Sequence, residues 1–247
     1  MMKDTKKYRR SYFPLIFFAG VIFASSVTVF SIPAELCESV DDSVMVGTET
    51  WRVWTELIGS TREILFDRVI GEYVTGPEIV NIANSVNDMD SSINTCLECI
   101  NESEQVWAVW ERIDPAGPEK PFSDTDIIMG TRSIGGAWGS EAYPHYNNDY
   151  DDFNPDVYGD SEGHVWIAWV AYFENVEYQI RYSYYNGLDI TDDSCWWVNR
   201  LVDGGGVDST SEPEIFEVDG QVWVGWKDIY TQYHEALLPR PDKIASW

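Results

Sequence analysis

His164-Val-Trp-Ile-Ala-Trp-Val170 is the stretch that decides the fold. Its two tryptophans stand three residues apart, and the same spacing recurs in the pairs Trp51/Trp54, Trp107/Trp110 and Trp223/Trp226. From 51 to 107, 107 to 166 and 166 to 223, the first tryptophans of successive pairs are 56, 59 and 57 residues apart. Regular self-similarity at such a period is typical of repeat architectures. The chain is therefore predicted to contain four copies of one structural unit.

Each tryptophan pair is predicted to lie on a β-strand with both faces buried. Side chains alternate between the two faces of a strand, so residues three apart point to opposite sides. In an antiparallel protein this requires a neighbouring sheet on each side, as in small sheets arranged radially. Because the tryptophans recur in every copy, we interpret them as core residues rather than as sugar-stacking platforms.

Further strand-like segments flank the tryptophan strands in a fixed order. They are residues 154–158 and 211–218 upstream, 63–66, 126–129 and 178–183 downstream, and 78–82 and 196–202 after a further turn. Short strands joined by Gly, Asp and Asn turns predict an all-β protein. We expect a β-propeller-type array of about four four-stranded antiparallel blades over residues 35–247, the last blade incomplete. A tryptophan-rich β-sandwich is the alternative, but it gives no reason for a constant repeat spacing.

Thr131-Arg-Ser-Ile-Gly-Gly-Ala-Trp138 resembles the Asp-box of the sialidase-like (BNR/Asp-box) β-propeller superfamily. The box reads Ser or Thr, any residue, Asp, any residue, Gly, any residue, Thr or Ser, then Trp. Thr131, Gly135 and Trp138 fit it, whereas Ser133 stands at the Asp position. The resemblance implies the propeller fold. Since the boxes of that family lie on the blade periphery, it implies no catalytic residue.

The segment from Ser43 to the end of the chain is about three and a half times as long as the spacing between successive tryptophan pairs. We expect an open array that is either a piece of a larger propeller or is closed by partner copies. Unpaired sheet edges and faces favour association. Self-association is therefore expected if the propeller is open.

The amino terminus has the layout of a secretory signal. Five basic residues precede an uncharged, apolar run, and residues 1–34 are predicted to be a signal peptide or a signal-anchor helix. The strongly apolar residues 12–30 are also long enough to anchor the chain in a membrane, so cleavage stays open. Either outcome predicts that the repeats are secreted or extracellular and membrane-anchored.

Four cysteines, Cys37, Cys96, Cys99 and Cys195, suit disulfides in an exported chain. The formal net charge is −26. A chain this acidic repels phosphate backbones, so nucleic-acid binding is not expected.

Acidic residues are densest between residues 147 and 156, and the cluster raises the hypothesis of a calcium site with Asp149, Asp151, Asp152 and Asp156 as ligands. Hard cations prefer such oxygen donors. The other interpretation is a solvated loop, because the ligand spacing of an EF-hand is missing. No other cofactor is expected.

The sialidase resemblance implies an arginine cluster for a substrate carboxylate, but no arginine lies in a matching motif, so no catalytic residue is assigned. The candidates are Arg52, Arg62, Arg68, Arg112, Arg132, Arg181 and Arg200. Our leading hypothesis is a non-catalytic module for extracellular recognition or structural interaction, with a protein or glycan partner. The alternatives are a sialidase-like glycoside hydrolase acting on extracellular glycans and a propeller lectin that stacks sugars on Trp138, Tyr184 and Tyr185.

Overall fold

The computed structural model describes most of the repeat region. The described residues are 41–80, 87–96, 105–114, 124–133, 136–139, 141–144, 150–173, 177–186, 196–203, 207–228 and 230–240. The predicted signal segment 1–34, Cys37, Cys99 and Cys195 lie outside them. Within the described part, no helix is long and apolar enough to cross a bilayer.

The described residues form fourteen β-strands in four antiparallel sheets, which we number in chain order. Sheet 1 contains β1 (Asp42–Val46), β2 (Glu49–Ile58), β3 (Thr61–Ile70) and β4 (Tyr73–Ile79). Sheet 2 contains β5 (Asn87–Cys96), β6 (Gln105–Asp114) and β7 (Asp124–Ser133). Sheet 3 contains β8 (Asp152–Gly159), β9 (Val165–Phe173), β10 (Glu177–Tyr185) and β11 (Trp196–Asp203). Sheet 4 contains β12 (Glu214–Val218), β13 (Gln221–Lys227) and β14 (Tyr233–Leu237).

The all-β prediction is confirmed, and each tryptophan pair lies on the second strand of its sheet. Strand order within every sheet follows the chain, as expected for hairpin-connected strands. Sheets 1 and 3 have the four strands that were predicted for each copy before the last. Among the described residues sheet 2 has three strands, and only a single bridge between Met129 and Ala142 marks a fourth position. Within the described part of the chain, sheet 4 has three strands.

Both faces of the tryptophan strands are buried in sheets 1, 2 and 3, as alternation predicts. Trp51 of sheet 1 packs in one cluster with Trp110 of sheet 2. Trp107 of sheet 2 packs with Trp169 of sheet 3. Trp166 of sheet 3 in turn packs with Trp226 of sheet 4. The first tryptophan of a pair therefore contacts the next sheet, on what we call the forward face, and the second contacts the preceding sheet, on the backward face.

A chain of buried hydrogen bonds joins the first strands of all four sheets. The Ser92 hydroxyl lies 2.8 Å from Asp42 Oδ2 and 2.8 Å from Asp156 Oδ1. Asp42 also accepts the Ile93 amide at 3.0 Å, and Asp156 accepts the Ile215 amide at 2.7 Å. Strands β1, β5, β8 and β12 are thus linked sheet to sheet by carboxylates, and we call this set of contacts the inner chain.

Arg240 anchors the end of the described chain to sheet 3. Its guanidinium donates to Asp160 at 3.0 Å and also to Glu162. Asp160 further accepts the indole N–H of Trp166 at 2.9 Å and faces Nδ1 of His164 at 3.1 Å. Burial alone would raise the pKa of Asp160, but hydrogen bonds from His164 and Trp166 outweigh it and hold the pKa below 3.8.

We expect Ser92→Ala to lower the free energy of unfolding by about 1–3 kcal/mol, because it removes a shared partner from two buried carboxylates. Urea unfolding measures the change. Ser161→Ala is the matched control, since Ser161 is exposed and its hydroxyl contacts Glu217. Equal stability of the two variants would contradict a role for the inner chain in holding the sheets together.

Asp160→Asn is expected to change the acid stability of the protein. A carboxyl whose folded-state pKa lies below its unfolded value of 3.8 stabilises the fold above that pH and loses this contribution as pH falls through the folded pKa. The gap in urea midpoint between wild type and Asp160→Asn should therefore be widest near neutral pH and shrink below 3.8. The exposed Glu235→Gln variant controls for general loss of charge. A gap independent of pH would contradict the expectation.

Candidate functional site: the acidic end of the sheets

Carboxylates collect at one end of the sheets, where first and third strands begin and second strands end. Antiparallel pairing places Asp88 of β5 opposite Arg112 of β6, and Arg112 opposite Asp126 of β7. The inner chain aligns the first strands of neighbouring sheets, so their starting residues share this end. We call it the acidic end. Its buried carboxylates are Asp42, Glu63, Asp88, Glu111, Asp124, Asp126, Asp152 and Asp156.

Arg112 is the centre of the strongest ionic cluster at the acidic end. Its Nε and Nη2 donate to the two oxygens of Asp88 at 2.8 and 3.0 Å. Its Nη1 and Nη2 donate to the two oxygens of Glu141 at 2.6 and 2.8 Å. Asp88 is fully buried and the Arg112 side chain is only 8% exposed. Two bidentate contacts therefore occupy both donor edges of the guanidinium, which an arginine would otherwise offer to a carboxylate ligand.

The Arg112 cluster contains more carboxylates than guanidinium groups. Burial raises the pKa of Asp88, Arg112 opposes that effect, and the negative charges of Glu141 and Glu63 add to it. Burial alone would lower the pKa of Arg112, but hydrogen bonds to Glu141 and Asp88 outweigh it and raise the pKa. One guanidinium thus faces several carboxylates and stays charged, while Asp88 is the group that takes up a proton more readily than an exposed aspartate.

Asn154 bonds both to sheet 2 and to the segment that precedes sheet 4. It lies at φ 50° within an irregular stretch of β8, a backbone conformation that asparagine tolerates well. Its amide donates to Glu111 at 2.5 Å. Its side-chain Nδ2 donates to the carbonyls of Ser209 and Ser211, each at 2.9 Å. A glutamate of the second sheet is therefore engaged by the backbone of the third.

Three of the four predicted calcium ligands lie at the acidic end, where each accepts hydrogen bonds from a different part of the chain. Asp151 accepts the Thr125 amide at 3.0 Å, and Asp152 accepts the Trp169 indole N–H at 3.0 Å. Asp156 belongs to the inner chain. Asp149 lies outside the described residues. Across the described part of the chain, no three His, Cys, Asp or Glu side chains converge as a metal group would require. The calcium site stays a prediction.

The Asp-box residues fall where the third strand of sheet 2 ends. Thr131 and Ser133 are the last part of β7, and Gly135 lies outside the described residues. The turn is held by the Ser133 carbonyl, which accepts the Gly136 amide at 2.8 Å, and by Arg132, which donates to the Gly136 carbonyl. Trp138 packs edge-on against Phe66 of sheet 1 at 5.4 Å. The box is thus a packing element between two sheets.

The arginines that we considered as carboxylate binders are largely engaged by the chain itself. Arg52 donates to Asp67, and Arg132 donates to Glu78 at 2.8 Å. Arg181 donates to the Gln179 side chain at 2.7 Å. The three arginines themselves lie in sheets 1, 2 and 3, so they are dispersed over the array. This arrangement favours structural roles.

The prediction that Tyr184 and Tyr185 are exposed platforms for sugar stacking is wrong. Tyr184 and Tyr185 lie in β10 and are only 5% and 1% exposed, because they pack between sheets. Trp138 is half-buried in the contact with Phe66 described above.

Arg112 was among the candidate arginines, but its partners Asp88 and Glu141 were not predicted from the sequence. A weak signal exists: the second residue after the second tryptophan is charged in three copies, as Glu56, Arg112 and Asp228.

Comparison with known proteins gives similarity of fold alone. No protein-family model matches the chain, and no curated protein matches it. A solved structure titled Hadza microbial sialidase is 9% identical over 74% of this chain, with a TM-score of 0.54. A protein of unknown function from Dyadobacter fermentans is 11% identical over 78% of this chain, with a TM-score of 0.56. The matches span 40% and 62% of those two chains.

Arg112→Met is expected to lower the free energy of unfolding by about 3–5 kcal/mol, because it leaves buried Asp88 without its counter-charge. Chemical denaturation monitored by tryptophan fluorescence measures the loss. Arg200→Met serves as the control, since Arg200 is exposed and stacks over Trp197 at 4.4 Å. If both variants lost the same small amount, Arg112 would not be a structural centre.

Proposed function

We propose that this protein is an exported, non-catalytic β-propeller module that binds a protein or glycan partner and cleaves no glycosidic bond. A radial, propeller-like arrangement of the four sheets is supported by the way they pack in chain order, forward face against backward face. It also draws support from the two solved structures with similar folds. The export part of the proposal rests on the basic and apolar amino-terminal sequence.

The observation that carries the non-catalytic part is the engagement of Arg112 by Asp88 and Glu141. A hydrolase that recognises a carboxylate-bearing sugar needs guanidinium groups that can face the substrate. Here the guanidinium at the centre of the acidic end is closed by two bidentate carboxylates of the same chain. Opening it would leave Asp88 buried and uncompensated, which is costly.

The carboxylates of the acidic end also support a non-catalytic role. Hydrolysis by a carboxylate pair needs one acid and one base or nucleophile at a set separation on either side of a substrate. Asp42 and Asp156 bind the inner chain, Asp152 binds an indole N–H, and Glu111 binds a backbone amide. Asp42, Asp156 and Glu111 thus serve as acceptors between sheets, and Asp152 serves as an acceptor within sheet 3. A sialidase-like hydrolase is retained as the second candidate because one fold neighbour is a sialidase.

Purified protein is expected to release no fluorophore from an aryl glycoside of N-acetylneuraminic acid, nor from a panel of neutral aryl glycosides. A bacterial sialidase in the same assay shows that the substrate is competent. Turnover of any of these substrates by the wild-type protein, above a blank without protein, would overturn the proposal in favour of the hydrolase. The assay is run in calcium and in chelator, so that a metal requirement is not mistaken for inactivity.

A further inference from the structure

The forward face of sheet 4 is the surface on which the first tryptophan of a pair stays partly exposed. In sheets 1 to 3 that tryptophan is almost fully buried, with Trp51 at 1% and both Trp107 and Trp166 at 0% exposure. The fourth such residue, Trp223, is only half-buried. Among the described residues no sheet follows sheet 4, so this aromatic face is accessible.

Strand register shows that this face differs from the forward faces of the other sheets in one row. The residue two positions after the first tryptophan has a partner on the third strand, and in sheets 1 to 3 that partner is large and at most 2% exposed. These partners are Phe66, Met129 and Tyr182. In sheet 4 the partner is Glu235, which is exposed. A sheet packed here would bury a carboxylate, which is costly unless the charge is paired.

Gly225 lies at the centre of this row and allows the ring of Tyr233 to rest on the sheet. The residues at the same position in sheets 1 to 3 are Val53, Val109 and Ala168. A Cβ added to Gly225 would lie 2.0 Å from the hydroxyl oxygen and 2.6 Å from Cζ of Tyr233. Carbon atoms attract one another at about 3.5–4.0 Å, so a side chain here would displace the ring. Tyr233 is 56% exposed, so its ring covers the β13 backbone and still reaches solvent.

Two carboxylates flank this tyrosine. Glu214 of β12 and Glu235 of β14 are the two strand partners of Gly225, so their backbones lie about 10 Å apart, or two strand spacings. Burial raises the pKa of Tyr233, and the negative charges of the two glutamates add to that effect, which shows that both act on the phenol. Both glutamates are exposed, and neither carboxylate has a hydrogen bond or ion pair with another described residue.

A guanidinium group is the ligand that suits these side chains together. Arginine stacks its planar group on aromatic rings and donates hydrogen bonds to carboxylates from its edges. The Tyr233 ring supplies the flat surface, and Glu214 and Glu235 supply acceptors on either side of it. These two carboxylates face a single cation on the same surface, Lys227, and the chain as a whole has a formal net charge of −26. The field of the protein therefore attracts basic partners, and charge favours a basic protein over a neutral glycan.

We propose that the forward face of sheet 4 binds a basic segment of a partner protein, with an arginine side chain seated on Tyr233 between Glu214 and Glu235. Beside this position lies an apolar row formed by Phe216, Trp223 and Leu237. The row gives the residues next to the arginine a surface on which to pack. The inference rests on the recognition function proposed above, and it selects a protein from the two classes of partner named there.

Isothermal titration calorimetry of the full chain against a capped peptide of alternating arginine and serine tests this proposal. Binding should be saturable and should be lost when citrulline replaces arginine, because citrulline keeps the planar shape without the charge. Glu235→Gln should weaken binding by about threefold or more. Asp219→Asn is the matched control, since it removes the same charge from the exposed β12–β13 turn, where asparagine tolerates the φ of 52°. Gly225→Ala should also weaken binding, at unchanged charge, because it displaces the Tyr233 ring.

Circular dichroism checks that each variant is folded, and maltohexaose is titrated in parallel as a neutral glycan. Absence of peptide binding overturns the proposal, as does equal binding of the arginine and citrulline peptides. Equal weakening in Glu235→Gln and Asp219→Asn also overturns it, because attraction by net charge alone would then explain the binding. Binding of maltohexaose that is lost in Gly225→Ala, without peptide binding, would assign the face to glycans instead. The glycoside assay above separates the two proposals, since turnover there rejects the non-catalytic function, whereas failed peptide binding without turnover rejects only this inference.

Discussion

Burial of both faces of the tryptophan strands is the constraint on which the structure depends. An ordinary antiparallel sheet keeps one face for water, but here each second strand carries large side chains on both sides. A sheet of this protein therefore completes its core only between two neighbours. Stability in such an array is close to a sum of sheet stabilities and nearest-neighbour interfaces, so the interfaces decide whether any single sheet is ordered.

The acidic composition takes on a specific meaning once the contacts are known. A large negative charge usually describes a solvated surface, yet several carboxylates here are buried between sheets and accept hydrogen bonds from amides, indoles and guanidinium groups. Charge-assisted bonds of this kind are stronger than neutral ones. The carboxylates act as directional connectors, and this use leaves fewer of them for chemistry at the acidic end.

Local pattern was sufficient to predict the strands but not the contacts between them. The spacing of Trp166 and Trp169 predicts a strand buried on both faces, because alternation is a property of a few consecutive residues. The pairing of Arg112 with Asp88 and Glu141 joins residues 24 and 29 positions apart, and many acidic residues could equally have been chosen. Tyr184 and Tyr185 illustrate the same limit, since their burial depends on neighbouring sheets. After Ser133, which stands at the position of the expected aspartate, Arg132 donates a hydrogen bond to the Gly136 carbonyl that the motif did not predict.

Strand order has a further consequence for how the chain acquires its structure. Each strand pairs with the strands next to it in sequence, so a sheet forms from one continuous segment. Bonds between sheets join residues about one repeat apart, such as Ser92 with Asp42 and Ile215 with Asp156. Contacts of this range suit vectorial folding, in which domains order from the amino terminus as the polypeptide emerges. During synthesis from the amino terminus, each newly formed sheet would meet a tryptophan surface already formed by the preceding sheet.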